Sequence, residues 1–139
     1  MKKSIFYLSI ISLALIAVIV GCSSTSKTTT DQKAVELRPS MDLKVGEEVY
    51  ACNCGKECPC NTLSRNAGKC TCGVDMVKSS VKSVGDGTAV LLVSGEERTF
   101  KTVGKYACAC GLQCPCNTIS QNPGKCTCGV EMKEVKSNI

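Results

Sequence analysis

The chain has 139 residues with no tryptophan, no histidine, two phenylalanines and 13 cysteines. Modules this poor in large apolar residues cannot fill a core of ordinary size and need staples, either metal or disulfide. The missing histidine excludes c-type haem attachment, His-ligated zinc and the usual base of Cys/His or Ser/His catalysis. The formal charge of +5 falls to +3 without Lys2 and Lys3, and no basic cluster with interleaved aromatics points to nucleic acid.

In chain order, residues 1–21 read as a signal peptide. Met1-Lys2-Lys3 is a positive start, and Ile5 to Val20 is an apolar run that stops at Gly21-Cys22. The run is 16 residues long, shorter than the ~20 that a bilayer-spanning helix needs. Ile19-Val20-Gly21-Cys22 resembles the lipobox of bacterial lipoproteins. The resemblance implies cleavage before Cys22, acylation of its thiol, and of its amine in many bacteria, with the several chains giving stable anchoring. Ser23 is not the aspartate that resembles an inner-membrane retention signal. The expected location is therefore extracytoplasmic and lipid-anchored: on the outer membrane if the cell has two membranes, otherwise on the outer face of the plasma membrane.

Residues 22–44 read as a lipidated flexible tether. Ser23 to Lys33 lacks aliphatic and aromatic side chains and cannot order itself by burial. Pro39 forbids a continuous helix through the following stretch, and a short strand is expected at about Leu43 to Val45. Residues 45–77 and 105–135 hold two copies of one cassette, YACNCGKECPCNTLSRNAGKCTCGVDM at 50–76 and YACACGLQCPCNTISQNPGKCTCGVEM at 106–132. The copies lie 56 positions apart and match at 20 of 27 positions, which makes an internal repeat.

Between the cassettes, residues 78–104 form a β-rich connector. Val81 to Val84, Thr88 to Val93 and Glu97 to Val103 are β-rich runs separated by Gly/Asp/Ser punctuation, a pattern that predicts a small antiparallel meander. With Phe100 as its only aromatic, it reads as a spacer and platform. Each cassette is expected to fold and bind on its own, and residues 136–139 are a tail.

Each cassette carries three CxC pairs: Cys52/Cys54, Cys58/Cys60 and Cys70/Cys72, then Cys108/Cys110, Cys114/Cys116 and Cys126/Cys128. In an extended chain residues i and i+2 share a face, so both sulfurs of a pair aim at one point. That suits two thiolates on one ion, or one thiolate bridging two ions. A disulfide within such a pair is poor, because bonded cysteines prefer Cα separations of about 5.5–6 Å and a particular torsion. Pro59 and Pro115 fix φ inside the second pair. Asn66-Ala67-Gly68 and Asn122-Pro123-Gly124 are expected to turn the chain, Pro-Gly fitting a type II turn. Gly73 and Gly129 are expected to let N–H groups approach the sulfurs. Lys69 and Lys125 either lower thiol pKa or are simply solvated turn lysines. Glu57, Asp75 and Glu131 are too scattered for a hard-cation site.

Tyr-x-Cys, Asn-Pro-Gly-Lys-Cys at 122–126 and Cys-Gly-Val-Glu-Met at 128–132 are similar to the heavy-metal-binding domain attached to copper and silver efflux proteins. This chain has no histidine, and its CxCG replaces CPxCG; the added CxC pairs look more like metallothionein. The resemblance implies metal handling, and a metal-efflux or metal-donor protein as partner. The fold class expected is small, irregular metal- or disulfide-stapled modules with short β elements: two cysteine-rich repeats joined by a β-meander after a cleaved signal helix. The twelve cassette cysteines are the expected ligands of a soft ion such as zinc, copper(I) or cadmium, and Cys22 is the lipidation site. The competing expectation is a disulfide-stapled extracytoplasmic structural or interaction lipoprotein, since exported cysteines ordinarily pair. Iron–sulfur ligation lacks the Cys-x2-Cys-x2-Cys run of ferredoxins, and thiol–disulfide catalysis lacks CxxC beside a βαβ pattern. The chain therefore reads as a non-enzyme.

Overall fold

The structure, a computed structural model, describes residues 36–136; Cys22, the expected signal peptide and the start of the expected tether lie outside the described residues. Among the described residues all regular structure is β: β1 (Glu48–Ala51), β2 (Leu63–Ser64), β3 (Val77–Gly85), β4 (Thr88–Val93), β5 (Glu96–Lys101), β6 (Tyr106–Ala107), β7 (Ile119–Ser120) and β8 (Lys133–Glu134). They form one antiparallel sheet in the order β5-β4-β3-β1-β2-β7-β6-β8.

The connector forms the meander its runs predict. Alternation along β4 buries Ala89, Leu91 and Val93, and Ala89 faces Phe100 of β5 across the ladder. Val93 pairs with Glu96, which leaves Ser94 and Gly95 as a two-residue turn with φ of 51° and 88°. Positive φ at both central positions is the hairpin geometry that matches strand twist. β3 begins earlier than its run of valines suggests, because Val77 to Ser80 pair with β1.

The short strand expected at Leu43 to Val45 is not formed. Val45 and Gly46 make a turn, with Gly46 at φ 84° and the Glu47 N–H donating to the Lys44 carbonyl at 3.0 Å. Met41 and Leu43 instead pack into the core as irregular chain. Their segment is held by the Met41 N–H on the Thr102 carbonyl at 2.9 Å.

The cassettes repeat their pairing as well as their sequence. Tyr50 opposes Ser64 and Ala51 opposes Leu63; 56 positions on, Tyr106 opposes Ser120 and Ala107 opposes Ile119. Between the cassettes β2 pairs with β7 through Leu63 and Ile119, which are themselves repeat equivalents, so a local twofold axis passes through this contact. Around it the hydrogen bonds come in matched pairs. Arg65 N–H donates to the Cys116 carbonyl and Gln121 N–H to the Cys60 carbonyl, both at 2.8 Å. Ser64 Oγ reaches the Cys116 carbonyl at 3.0 Å and Ser120 Oγ the Cys60 carbonyl at 2.9 Å. Thr62 Oγ1 meets Ser120 Oγ at 3.1 Å, and Ser64 Oγ meets Thr118 Oγ1 at 3.0 Å. All four of these hydroxyl-bearing residues are fully buried, and each is satisfied only by the other cassette's groups together with its own.

Gly68 and Gly124 show how close the approach is. A Cβ on Gly68 would lie 2.9 Å from Thr127 Cβ, and one on Gly124 would lie 2.9 Å from Thr71 Cβ. Their φ of 155° and 151° differs from the value of about +80° that a type II turn requires, so the expected Pro-Gly turn is an open bend. The two cassettes thus meet directly through β2 and β7 and are not merely held apart by the connector. The connector docks on the first cassette: Arg98 donates to the Cys52 carbonyl at 2.8 Å, and Asn61 Oδ1 accepts the Lys101 N–H at 2.6 Å.

Candidate metal centre

Strand β1 delivers Cys52 into the core immediately after Ala51, and the Cys52 N–H is tied to the Thr62 carbonyl at 2.9 Å. The same tie holds Cys108 to Thr118 at 2.9 Å. The second pair follows a tight turn in which the Cys58 N–H reaches the Gly55 carbonyl, and Cys114 reaches Gly111, at 3.4 and 3.1 Å. The third pair is set in a loop closed by Cys70 N–H on the Val74 carbonyl and Gly73 N–H on the Cys70 carbonyl, each 2.9 Å; Cys126, Val130 and Gly129 repeat it at 2.9 and 2.8 Å. Gly73 and Gly129 spend their own N–H groups on these carbonyl oxygens.

These three supports bring the sulfurs together. In the first cassette Cys52, Cys54, Cys58, Cys60 and Cys72 have all their sulfurs within 4.8 Å of one another, and in the second so do Cys108, Cys110, Cys114, Cys116 and Cys128. The sixth sulfur of each array flanks its group. Cys70 lies 3.3 Å from Cys54 and 2.9 Å from Cys72; Cys126 lies 3.7 Å from Cys110 and 2.9 Å from Cys128. Zinc–sulfur bonds of ~2.3 Å in a tetrahedron set sulfurs about 3.8 Å apart. Cys52–Cys58 at 3.8 Å, Cys58–Cys72 at 3.9 Å and Cys60–Cys72 at 3.8 Å match that edge, while Cys52–Cys60 at 3.2 Å and Cys58–Cys60 at 3.1 Å are tighter than an ion between them would set. Among the described residues no two sulfurs lie at the ~2.05 Å of a disulfide bond; the shortest approach is 2.7 Å, between Cys54 and Cys72.

Charge within the array is uneven. Burial works against a thiolate at Cys60, but hydrogen bonds from Cys52, Cys58 and Thr62 outweigh it and bring the thiol down to about 6. Cys116 comes down to about 6 in the same way, burial being outweighed by Cys114, Cys108 and Thr118. Burial pushes Cys52, Cys54, Cys108 and Cys110 up. Lys69 and Lys125 do not serve the sulfurs. They are exposed and pair with Asp75 at 3.0 Å and Glu131 at 3.9 Å, so the solvated-lysine reading holds.

A pH dependence follows with a definite sign. A metal-bound thiol must give up its proton, so affinity falls as pH falls. Near neutrality Cys60 and Cys116 have already lost theirs; below about 6 they hold a proton that the ion must displace. The slope of log affinity against pH is therefore expected to steepen below about 6, by one proton per cassette. Competition titrations with Cd²⁺ on either side of that pH would measure it, and a slope that stays constant or flattens would refute the assignment.

Sequence reasoning missed three residues that shape the site from outside. Arg98 donates to the Cys52 carbonyl and to the Gly55 carbonyl, and Arg38 donates to the Cys114 carbonyl. Asn61 ties the second pair to β5. None sits in a local motif, and only the folded contacts identify them. Comparison of the chain with protein-family models, with curated proteins and with solved structures finds no match.

Proposed function

We propose that this protein binds soft heavy-metal ions (zinc, copper(I) or cadmium) through its cysteine thiolates and is held at a bacterial membrane by a lipid on Cys22, serving sequestration, resistance or handover. The observation that carries the reading is the convergence of five sulfurs in each cassette within 4.8 Å, with none at bonding distance to another. Thiolates are soft, and a set without imidazole or carboxylate favours soft ions over Mg²⁺, Ca²⁺ or Mn²⁺. The anchored and exported location rests on the lipobox-like Ile19-Val20-Gly21-Cys22. A partner, in this reading, is a metal-efflux or metal-donor protein that exchanges ions with the cassettes. No catalytic step is assigned, since neither cassette presents a base beside a nucleophile.

Mass spectrometry of the protein purified from membranes without air and without added reductant tests both halves. The expected result is a chain that starts at an acylated Cys22 and carries metal that a chelator removes. A mass lowered by about two units per bridge across all twelve cassette cysteines, without metal and unaffected by chelator, would establish the disulfide-stapled alternative instead.

A further inference from the structure

The six sulfurs of a cassette divide into two touching sets, which in the first cassette also meet through Cys52 and Cys54 at 3.0 Å. Cys52, Cys58 and Cys60 form one triangle, with sides of 3.8, 3.2 and 3.1 Å, and Cys52 and Cys60 have no exposure at all. Cys54, Cys70 and Cys72 form another, with sides of 3.3, 2.7 and 2.9 Å. Cys72 is exposed and also touches the first triangle, 3.9 Å from Cys58 and 3.8 Å from Cys60. The second cassette repeats the division. Cys116 lies 3.2 Å from Cys108 and 3.0 Å from Cys114. Cys110, Cys126 and Cys128 make the other triangle, at 3.7, 2.8 and 2.9 Å. Cys128 again joins the two, at 3.8 Å from Cys114 and 3.7 Å from Cys116.

One tetrahedral ion uses four thiolates, and six converge. Resting on the metal-binding reading above, we propose that each cassette takes two ions: an inner one closed by Cys52, Cys58, Cys60 and Cys72, and an outer one on Cys54, Cys70 and Cys72 with its fourth position open. In the second cassette the inner set is Cys108, Cys114, Cys116 and Cys128, and the outer set is Cys110, Cys126 and Cys128. Cys72 and Cys128 bridge. Closed four-thiolate sites are the structural kind, whereas an open position admits an incoming ligand. The surroundings match that division. Cys52 and Cys60, like Cys108 and Cys116, are buried, whereas Cys72, Cys110 and Cys128 are exposed, and a cleft of about 510 Å³ between the cassettes reaches the otherwise buried Cys70 and Cys126, with Thr71, Thr127, Lys69 and Lys125 beside them. The outer ions are the exchangeable cargo, passed by substitution of one thiolate ligand for another without any change of oxidation state; the inner ions hold the fold.

The test loads the reduced full-length chain in mild detergent with Cd²⁺ alone. Four ions per chain are expected. Excess chelator should then bleach half of the cadmium–thiolate ultraviolet band in a fast phase and the other half in a slow one that accompanies loss of β signal. The double variant Cys70→Ser/Cys126→Ser should bind two ions and lose the fast phase only. Two ions in the native chain, or four that leave in a single phase, overturn the proposal while the metal-binding function stands. No bound cadmium at all overturns that function as well. If circular dichroism shows the variant unfolded, the stoichiometry and phases of the native chain decide the matter alone.

Discussion

Zinc-loaded, reduced protein is expected to lose its second cassette's structure on chelation while the connector meander persists. The buried cluster of that cassette is Cys108, Cys116, Cys126 and Met132, flanked by Tyr106 and Cys114. It contains almost nothing apolar other than sulfur. The larger cluster also includes sulfurs, those of Cys52, Cys60 and Cys70, but adds Val49, Leu63, Val81, Leu91, Val93 and Phe100. A structural zinc contributes about 10–16 kcal/mol, as much as the whole net stability of a typical domain, about 5–15 kcal/mol. Without it the second cassette keeps little beyond Ile119 and its hydrogen bonds to the rest of the chain to offset the entropy of ordering its loops. Hydrogen exchange would read the outcome: amides of 105–135 should lose protection, those of β3 to β5 far less. Unchanged protection in the second cassette after complete metal removal would show that the ion is not its staple.

A fragment of residues 104–139, at micromolar concentration, is expected to bind the same metal at least about a hundredfold more weakly than the second cassette does in the whole chain, since each 1.4 kcal/mol is a factor of ten. Ile119 is fully buried, and the rest of its core cluster comes from outside the second cassette, from the first cassette, the connector and the segment before them. Exposing such a side chain forfeits about 1.5–3 kcal/mol. The fragment also loses the Ser64 and Thr62 partners of Thr118 and Ser120, the Gln121 N–H bond to Cys60 and the Arg38 support of the Cys114 loop, each hydrogen bond contributing about 0.5–1.5 kcal/mol. In the intact chain Ser64→Ala should show a milder form of the same effect, about 1–3 kcal/mol, because Thr118 and Thr127 lose a buried partner. Calorimetric titration of the fragment would check the main expectation. An affinity equal to that in the whole chain would establish the cassettes as autonomous modules.

Local pattern went far in the connector and stopped at contacts made across the sequence. Thr88 to Val93 alternates and sits between turn residues, so β4 and its hairpins are legible. The Leu43 to Val45 run carries comparable apolar character, yet Val45 is 68% exposed and Gly46 turns the chain; the strand forms later, at β1, where β3 offers a partner. In the cassettes the CxC spacing predicts the convergence of sulfur correctly, since that is a matter of residues i and i+2. The meeting of the cassettes was hidden because its filling is hydroxyl and not hydrocarbon. Thr62, Ser64, Thr118 and Ser120 look like surface residues until one sees that both repeats keep Thr-x-Ser around Leu63 or Ile119. Alternation puts both hydroxyls on one face, and two such faces satisfy each other.

The pairing of Leu63 with Ile119 has one more consequence. Each strand offers its neighbour the repeat-equivalent of what it receives, so the contact is isologous, the kind by which identical subunits form closed pairs. A cassette on a chain of its own carries the surface needed to associate with a second copy. Joining the two copies turns that bimolecular encounter into an intramolecular one, so the association no longer depends on protein concentration. In architectural terms the protein is a covalent homodimer, with the meander as the tether between protomers. The symmetry of that dimer also accounts for the presence of glycine at both 68 and 124, since each threonine across the axis needs the same space.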